Sequence, residues 1–373
     1  MAGGDWGDDP VIWRIWGGLH RLLLRLGGLM PDEWLTHTRR MLATGDLAYL
    51  PDTISGSVAQ VGVALTPAEV ELLPYVLVAL GVDVVPPATL EMVQVSEVTP
   101  PTQHRFLPVA PALWERAGER IGASLDLTGG ASEALTDLPD DLAHLADLAD
   151  DLTDTQDDVA VAVLRDDDVI GIWRAWRVGP DGERRVYLAE VTPGVRAWEL
   201  THDAQEALKR HGERFPLVEV YWSGEWLTPY HEAARAGSAL LWARRPGRVR
   251  AAQVYDRVDQ SGLGEFDPDH PRLADPERRE ALLARLSGGA VVPGTDRSDV
   301  DVVRSERGRV VPWTYRTDGE WVWPEAVAYY LAEYGLAPEP EFTAHLLATA
   351  AAPSAVDGVA LFRARRAVAG AIR

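Results

Sequence analysis

The chain has 373 residues, 46% of them hydrophobic, which provides for a sizeable core and argues against global disorder. It has no cysteine, so disulfides, thiolate catalysis and cysteine-ligated zinc fall away together, in keeping with a cytoplasmic setting. Fifty-seven acids against 36 bases leave a net charge of −21, which opposes nucleic-acid binding and suits a basic protein partner.

In chain order, the apolar stretch Val11–Met30 is broken by Arg14, His20, Arg21 and Arg25. It meets the pattern of neither a signal peptide nor a membrane span. A helix packed on its own domain is expected there, with an interfacial helix presenting Trp13 and Trp16 as the alternative. Pro31-Asp32-Glu33-Trp34 opens a helix that runs to about Thr44 and stops at Gly45. Thr66, followed by Pro67 and Glu69, caps another helix, kinked at Pro74. Residues 1–82 therefore read as a helical N-terminal domain. Residues 83–158 follow as a Pro-rich linker with an edge strand near Leu90–Val98, a helix over Leu113–Ile121 and a break at Thr128-Gly129-Gly130. The linker ends in a segment, Glu133–Asp158, with ten acids and no Lys or Arg. Its leucines 138, 142, 145, 148 and 152 share one helical face, expected to dock while the acids stay solvated. A docking helix for a basic partner is the alternative, and the Asp spacing lacks the loop of a calcium site.

From Val159 the pattern turns to strands: Val159–Leu164, then Val169–Val178 and Arg185–Val191 around the turn Gly179-Pro180-Asp181-Gly182. A helix over Trp198–His211, a strand over Leu217–Trp222 and a helix over Tyr230–Ala243 complete a unit at 159–245. Residues 246–351 repeat the theme. Val249–Tyr255 is strand-like, Asp275–Leu286 is a helix, Val310–Tyr315 and Glu320–Trp323 form a hairpin, and helices cover Pro324–Tyr334 and Glu339–Thr349. A basic tail helix with Arg363, Arg365 and Arg366 fills 352–373. The expected class is α+β: a helical N-terminal domain followed by two related mixed α/β units with short, mostly antiparallel sheets.

The box Gly-Glu-Trp-x-x-Pro occurs twice, at Gly224–Pro229 and Gly319–Pro324. Each copy follows an apolar-aromatic run, and its Pro is placed to begin a helix. Packing of the strand end against that helix is the expected role of the Trp, with partner contact as the alternative. Binding candidates are therefore Trp226, Glu225 and Glu320, and above all Trp313, Trp321 and Trp323, which crowd one hairpin.

Catalytic signals are sparse. Gly288-Gly289 followed by Ser298-Asp299-Val300-Asp301 resembles the nucleotidyltransferase signature, in which paired carboxylates hold Mg²⁺. Here the glycines terminate a helix where that family needs a strand, so Asp299 and Asp301 stand as weak candidates. Nine histidines are scattered without ligand spacing, and His231-Glu232 lacks the second His of a zincin helix. No Gly-x-Ser-x-Gly, Walker loop or Gly-x-Gly-x-x-Gly is present, so neither cofactor nor metal is expected.

Two stretches carry a family resemblance. One is Tyr187–Leu200 through Gly224–His231 to Ala239–Trp242; the other is Arg309–Pro324 through Ala328–Leu331 to Gly335–Pro340. They resemble uncharacterised actinobacterial proteins, some linked to secreted polymorphic toxins of the TNT (NAD-glycohydrolase) type. The resemblance implies a cytoplasmic accessory or immunity partner and names no catalytic residue. The expected function is a non-enzymatic protein-interaction module. The alternatives are a Mg²⁺-dependent nucleotidyl enzyme and a subunit that self-assembles through Trp-rich faces.

Overall fold

A computed structural model describes residues 9–82, 88–117, 121–130, 151–180, 182–260, 263–348 and 356–371. The chain is α+β, and it divides into two compact units, residues 1–245 and 246–373. Most strand ladders are antiparallel, and no helix among the described residues is long and apolar enough to cross a membrane.

The first unit is built on a mixed sheet of β1 (Arg105–Leu107), β2 (Leu125–Asp126), β3 (Val169–Gly179), β4 (Gly182–Val191), β5 (Leu217–Trp222) and β6 (Ala239–Ala243), in the order β2-β6-β3-β4-β5. β1 and β6 share one edge of β3, β1 along its C-terminal half and β6 along its N-terminal half. β4 pairs antiparallel with the whole other edge of β3 and parallel with β5, which it reaches through the helix Ala197–Arg210. All six residues of β5 are buried, the mark of a strand covered on both faces.

The segments expected to form an N-terminal domain belong to this same unit. Ile15, Leu19, Leu22 and Leu23, with Leu35 and Leu42, share one core with Tyr187, Ala189, Val218, Val220 and Trp222 of the sheet. Local signals set the helix ends. Gly45, at φ 80°, stops the helix Asp32–Thr44. Thr66 and Glu69 form a capping box for the helix Pro67–Ala79, which carries Pro74 within it. The 3₁₀ turn Ala88–Met92 and a single bridge from Val95 to Leu65 stand where an edge strand was expected near Leu90–Val98.

Two further expectations are corrected. Val159–Leu164 is the end of a helix, Thr155–Leu164, because the Asp154 carboxylate caps it by accepting from the N–H groups of Gln156 and Asp157. The helix after the first box spans only Pro229–Ala236, and Gly237-Ser238 turns the chain into β6. A Cβ at Gly237 would lie 2.6 Å from the Phe106 carbonyl oxygen, so β1 approaches too closely for any other residue. Leu138, Leu142, Leu145 and Leu148 of the acidic leucine segment lie outside the described residues, while Leu152 is buried beside Leu125 and Leu113.

The second unit has a four-stranded sheet, β10-β13-β14-β7, made of β7 (Arg250–Ala251), β10 (Ala290–Val291), β13 (Tyr315–Thr317) and β14 (Trp321–Pro324). Two small ribbons join β8 (Arg257–Val258) to β9 (Gly264–Glu265) and β11 (Ser298–Asp299) to β12 (Val311–Pro312). Helices Pro276–Gly288, Ala326–Tyr334, Pro340–Ala348 and Gly358–Ala371 complete it. Trp323, 1% exposed, donates its indole N–H to the Leu286 carbonyl at 3.1 Å and packs on Gly289, where a Cβ would lie 2.5 Å from its ring. Trp323→Ala is therefore expected to destabilise this unit by about 3–5 kcal/mol, measured by urea unfolding, whereas Trp226→Ala stays within about 0.5 kcal/mol.

Candidate functional site

The two boxes have the same letters and different structures. In the second copy Gly319, at φ 97°, and Glu320 sit in the β13–β14 turn, and Trp321–Pro324 form the strand β14. Pro324 ends that strand, and the helix begins later, at Ala326. Trp313, Trp321 and Trp323 are 7%, 4% and 1% exposed, so the hairpin tryptophans are core residues and not a binding surface. Trp321 packs against Phe342 with ring centroids 5.0 Å apart, and the Trp313 indole donates to the Tyr315 hydroxyl. Glu320 projects into solvent, 3.7 Å from His345.

Asp299 and Asp301 do not form a metal pair. Asp301 is fully buried and accepts from the hydroxyls of Tyr329 (2.8 Å) and Tyr334 and from the N–H groups of Val303 and Arg304. Burial opposes its ionisation, but these donors outweigh it and hold the carboxyl below its ordinary value. Its oxygens are thus occupied in tying the loop after β11 to the helix Ala326–Tyr334. The Asp299 carboxylate accepts from the N–H of Val300, and no group of metal-ligating side chains occurs among the described residues.

The first box does join strand to helix. β5 ends at Trp222, Gly224 adopts φ 82°, and Thr228 caps the helix that begins at Pro229. Within this connection Glu225 takes a bidentate fork from Arg21 at 2.6–3.0 Å, and the Arg21 guanidinium lies 4.4 Å from the Trp222 ring centre. Leu227 is tucked in at 8% exposure. Trp226, between them, is 69% exposed. Every other described tryptophan is buried or half-buried. Arg21 was not foreseen, because it lies 204 residues from Glu225.

Beside this loop lies a cleft of about 300 Å³, lined by Leu29, Pro100, Pro101, Thr228 and Tyr230 together with the backbone of Gly27 and Gly28. A buried polar chain stands behind Thr228. Its hydroxyl is 2.7 Å from His231 Nδ1, and His231 Nε2 is 3.2 Å from Glu219 Oε2. Arg39 Nη2 donates to the same Glu219 oxygen at 2.5 Å. Arg39, Glu219 and His231 are each about 98–99% buried. Burial pushes the Glu219 pKa up, but Arg39 and His231 outweigh it and hold the carboxyl below its ordinary value.

The same elements close the outer edge of β5. Pro216 O accepts from Gln205 at 3.0 Å, Val218 O from Arg39 Nη1 at 3.1 Å, and Val220 O from His20 Nε2 at 2.7 Å. Burial lowers the pKa of His20 from 6.5 to about 4 despite that bond. No sequence spacing pairs these residues, since the partners are up to 200 positions apart. No protein-family model, curated protein or solved structure matches the chain.

Two outcomes are expected of these contacts. Arg39→Ala leaves the Glu219 carboxylate buried without its cation and lowers stability by about 3–5 kcal/mol in chemical unfolding, much of it recovered when Glu219→Leu is added. His20 takes its proton near pH 6.5 in the unfolded chain and near pH 4 in the folded one. Stability therefore falls as pH is lowered across that window, by about 3 kcal/mol in all. His20→Gln is expected to flatten this slope in urea titrations at pH 7 and pH 4.5.

Proposed function

We propose that the protein is a protein-interaction module that presents Trp226 to a partner of net positive charge, in the role of an immunity or accessory protein. The observation that carries this reading is a large aromatic side chain, 69% exposed, on a loop fixed at both ends. The Arg21–Glu225 fork holds one side, and the buried Leu227 and the Thr228 cap hold the other. An exposed tryptophan on a mobile loop would lose much of its binding energy to ordering, whereas a fixed one meets a partner pocket with little entropy left to lose.

The charge distribution supports the choice of partner. Acids outnumber bases by about two to one in residues 1–245, while residues 246–373 are nearly balanced. The net negative charge of the unit that carries Trp226 favours a cationic partner, an attraction that weakens with salt. The test is capture with wild-type and Trp226→Ala baits, followed by calorimetry on the protein identified. Trp226→Ala is expected to weaken the complex by about 30-fold or more, and added salt to weaken it further. An unchanged Kd in Trp226→Ala overturns the reading, and a complex that proves to be a second copy of this chain replaces the foreign partner with self-assembly.

A further inference from the structure

The wall of the cleft formed by Thr228 carries chemistry that partner binding does not use. The Thr228 hydroxyl, His231 and Glu219 form a continuous hydrogen-bonded series, at 2.7 Å and 3.2 Å. An ionised carboxylate only accepts, so Glu219 fixes the imidazole proton on Nε2 and leaves Nδ1 to accept from the Thr228 O–H. Arg39, at 2.5 Å, keeps that carboxylate ionised. These are the roles of nucleophile, base and orienting acid, with the two ring nitrogens exchanged relative to serine proteases.

The surroundings fit those roles. Thr228 borders the cleft, while His231 and Glu219 stand behind it at 2% and 1% exposure, away from bulk water. Gly27 of the cleft wall borders the imidazole, since a Cβ there would lie 3.5 Å from His231 Cε1, in ordinary van der Waals contact. The hydroxyl sits at the N-terminus of the helix Pro229–Ala236, whose positive end favours negative charge developing on a carbonyl oxygen. Leu29, Pro100, Pro101 and Pro180 give the cleft apolar patches among polar groups that include Arg25, Gln103 and His104, and its volume admits a short acyl group.

We propose that Thr228 is an acylatable nucleophile, activated by His231 and oriented through Glu219, that hydrolyses small esters. Thr228 Oγ1 bonds to the ester carbonyl carbon as its proton passes to His231 Nδ1. The ester C–O bond then breaks, and the leaving alcohol takes that proton. Water attacks the acyl-threonine, gives one proton to Nδ1, and releases the carboxylic acid as the proton returns to Thr228.

The experiment treats the full-length protein, with no partner present, with a fluorophosphonate probe and separately with p-nitrophenyl acetate. Its outcome is therefore independent of partner capture. Intact mass and peptide mapping are expected to place one phosphonyl group on Thr228, with fluoride lost. His231→Gln is expected to slow labelling by about 100-fold or more. Thr228→Asn retains a helix cap without a nucleophile and is expected to stay folded by near-UV circular dichroism and remain unlabelled, whereas Thr228→Ser retains both cap and labelling. Absence of label on Thr228 in the folded wild type overturns the proposal, as does equal labelling of wild type and His231→Gln.

Discussion

The free edge of β5 is the constraint on which the first unit depends. β5 is the last strand of its sheet and is buried, so its outward carbonyls at Pro216, Val218 and Val220 have no water to accept from. A further strand would satisfy them; here side chains do. Gln205 comes from the crossover helix, Arg39 from the helix Asp32–Thr44, and His20 from the helix Gly18–Arg25. The requirement fixes where the N-terminal helices lie, and they pack their leucines against Val218, Val220 and Trp222 in doing so. It also brings a guanidinium into the interior, where it needs a carboxylate, and Glu219 supplies one. A covered edge offers no template for pairing with another chain.

What could be read from the sequence was local. Gly45 as a helix stop, Thr66 as the cap of Pro67–Ala79, and the turn after Gly179 all act within a few residues and appear as expected. The apolar run Val159–Leu164 was ambiguous, because a short hydrophobic stretch has no period that separates strand from helix. Asp154 decided it by capping, from outside the run. The edge contacts of β5 were illegible for a different reason: they join His20 and Arg39 to positions 200 and 179 residues away, and single histidines and arginines carry no mark of such a partner. Richness in tryptophan likewise says nothing about which rings face outward.

The connection from β5 to the next helix concentrates what is distinctive in the first unit. Trp226 points to solvent, while Thr228, two positions on, faces the cleft and the buried His231. Both owe their position to the same supports. Arg21 and His20 sit on one helix, one gripping Glu225 and the other the β5 backbone, so the loop is held relative to the strand it leaves. Rigidity of this kind fixes an outward anchor and an inward hydroxyl with one set of contacts.

The twin box bears on how internal repeats are used. Identity at four of six positions here joins Trp226, 69% exposed at a strand exit, to Trp321, 4% exposed within a strand. Aligning the copies on their letters would superpose a solvent-facing ring on a core ring and average two unrelated tolerances to substitution. Neither copy is a spare for the other: losing the first ring removes contact area from the surface, and losing the second opens a void. A mutational map of this protein has to be indexed by burial, with the repeated words treated as homonyms.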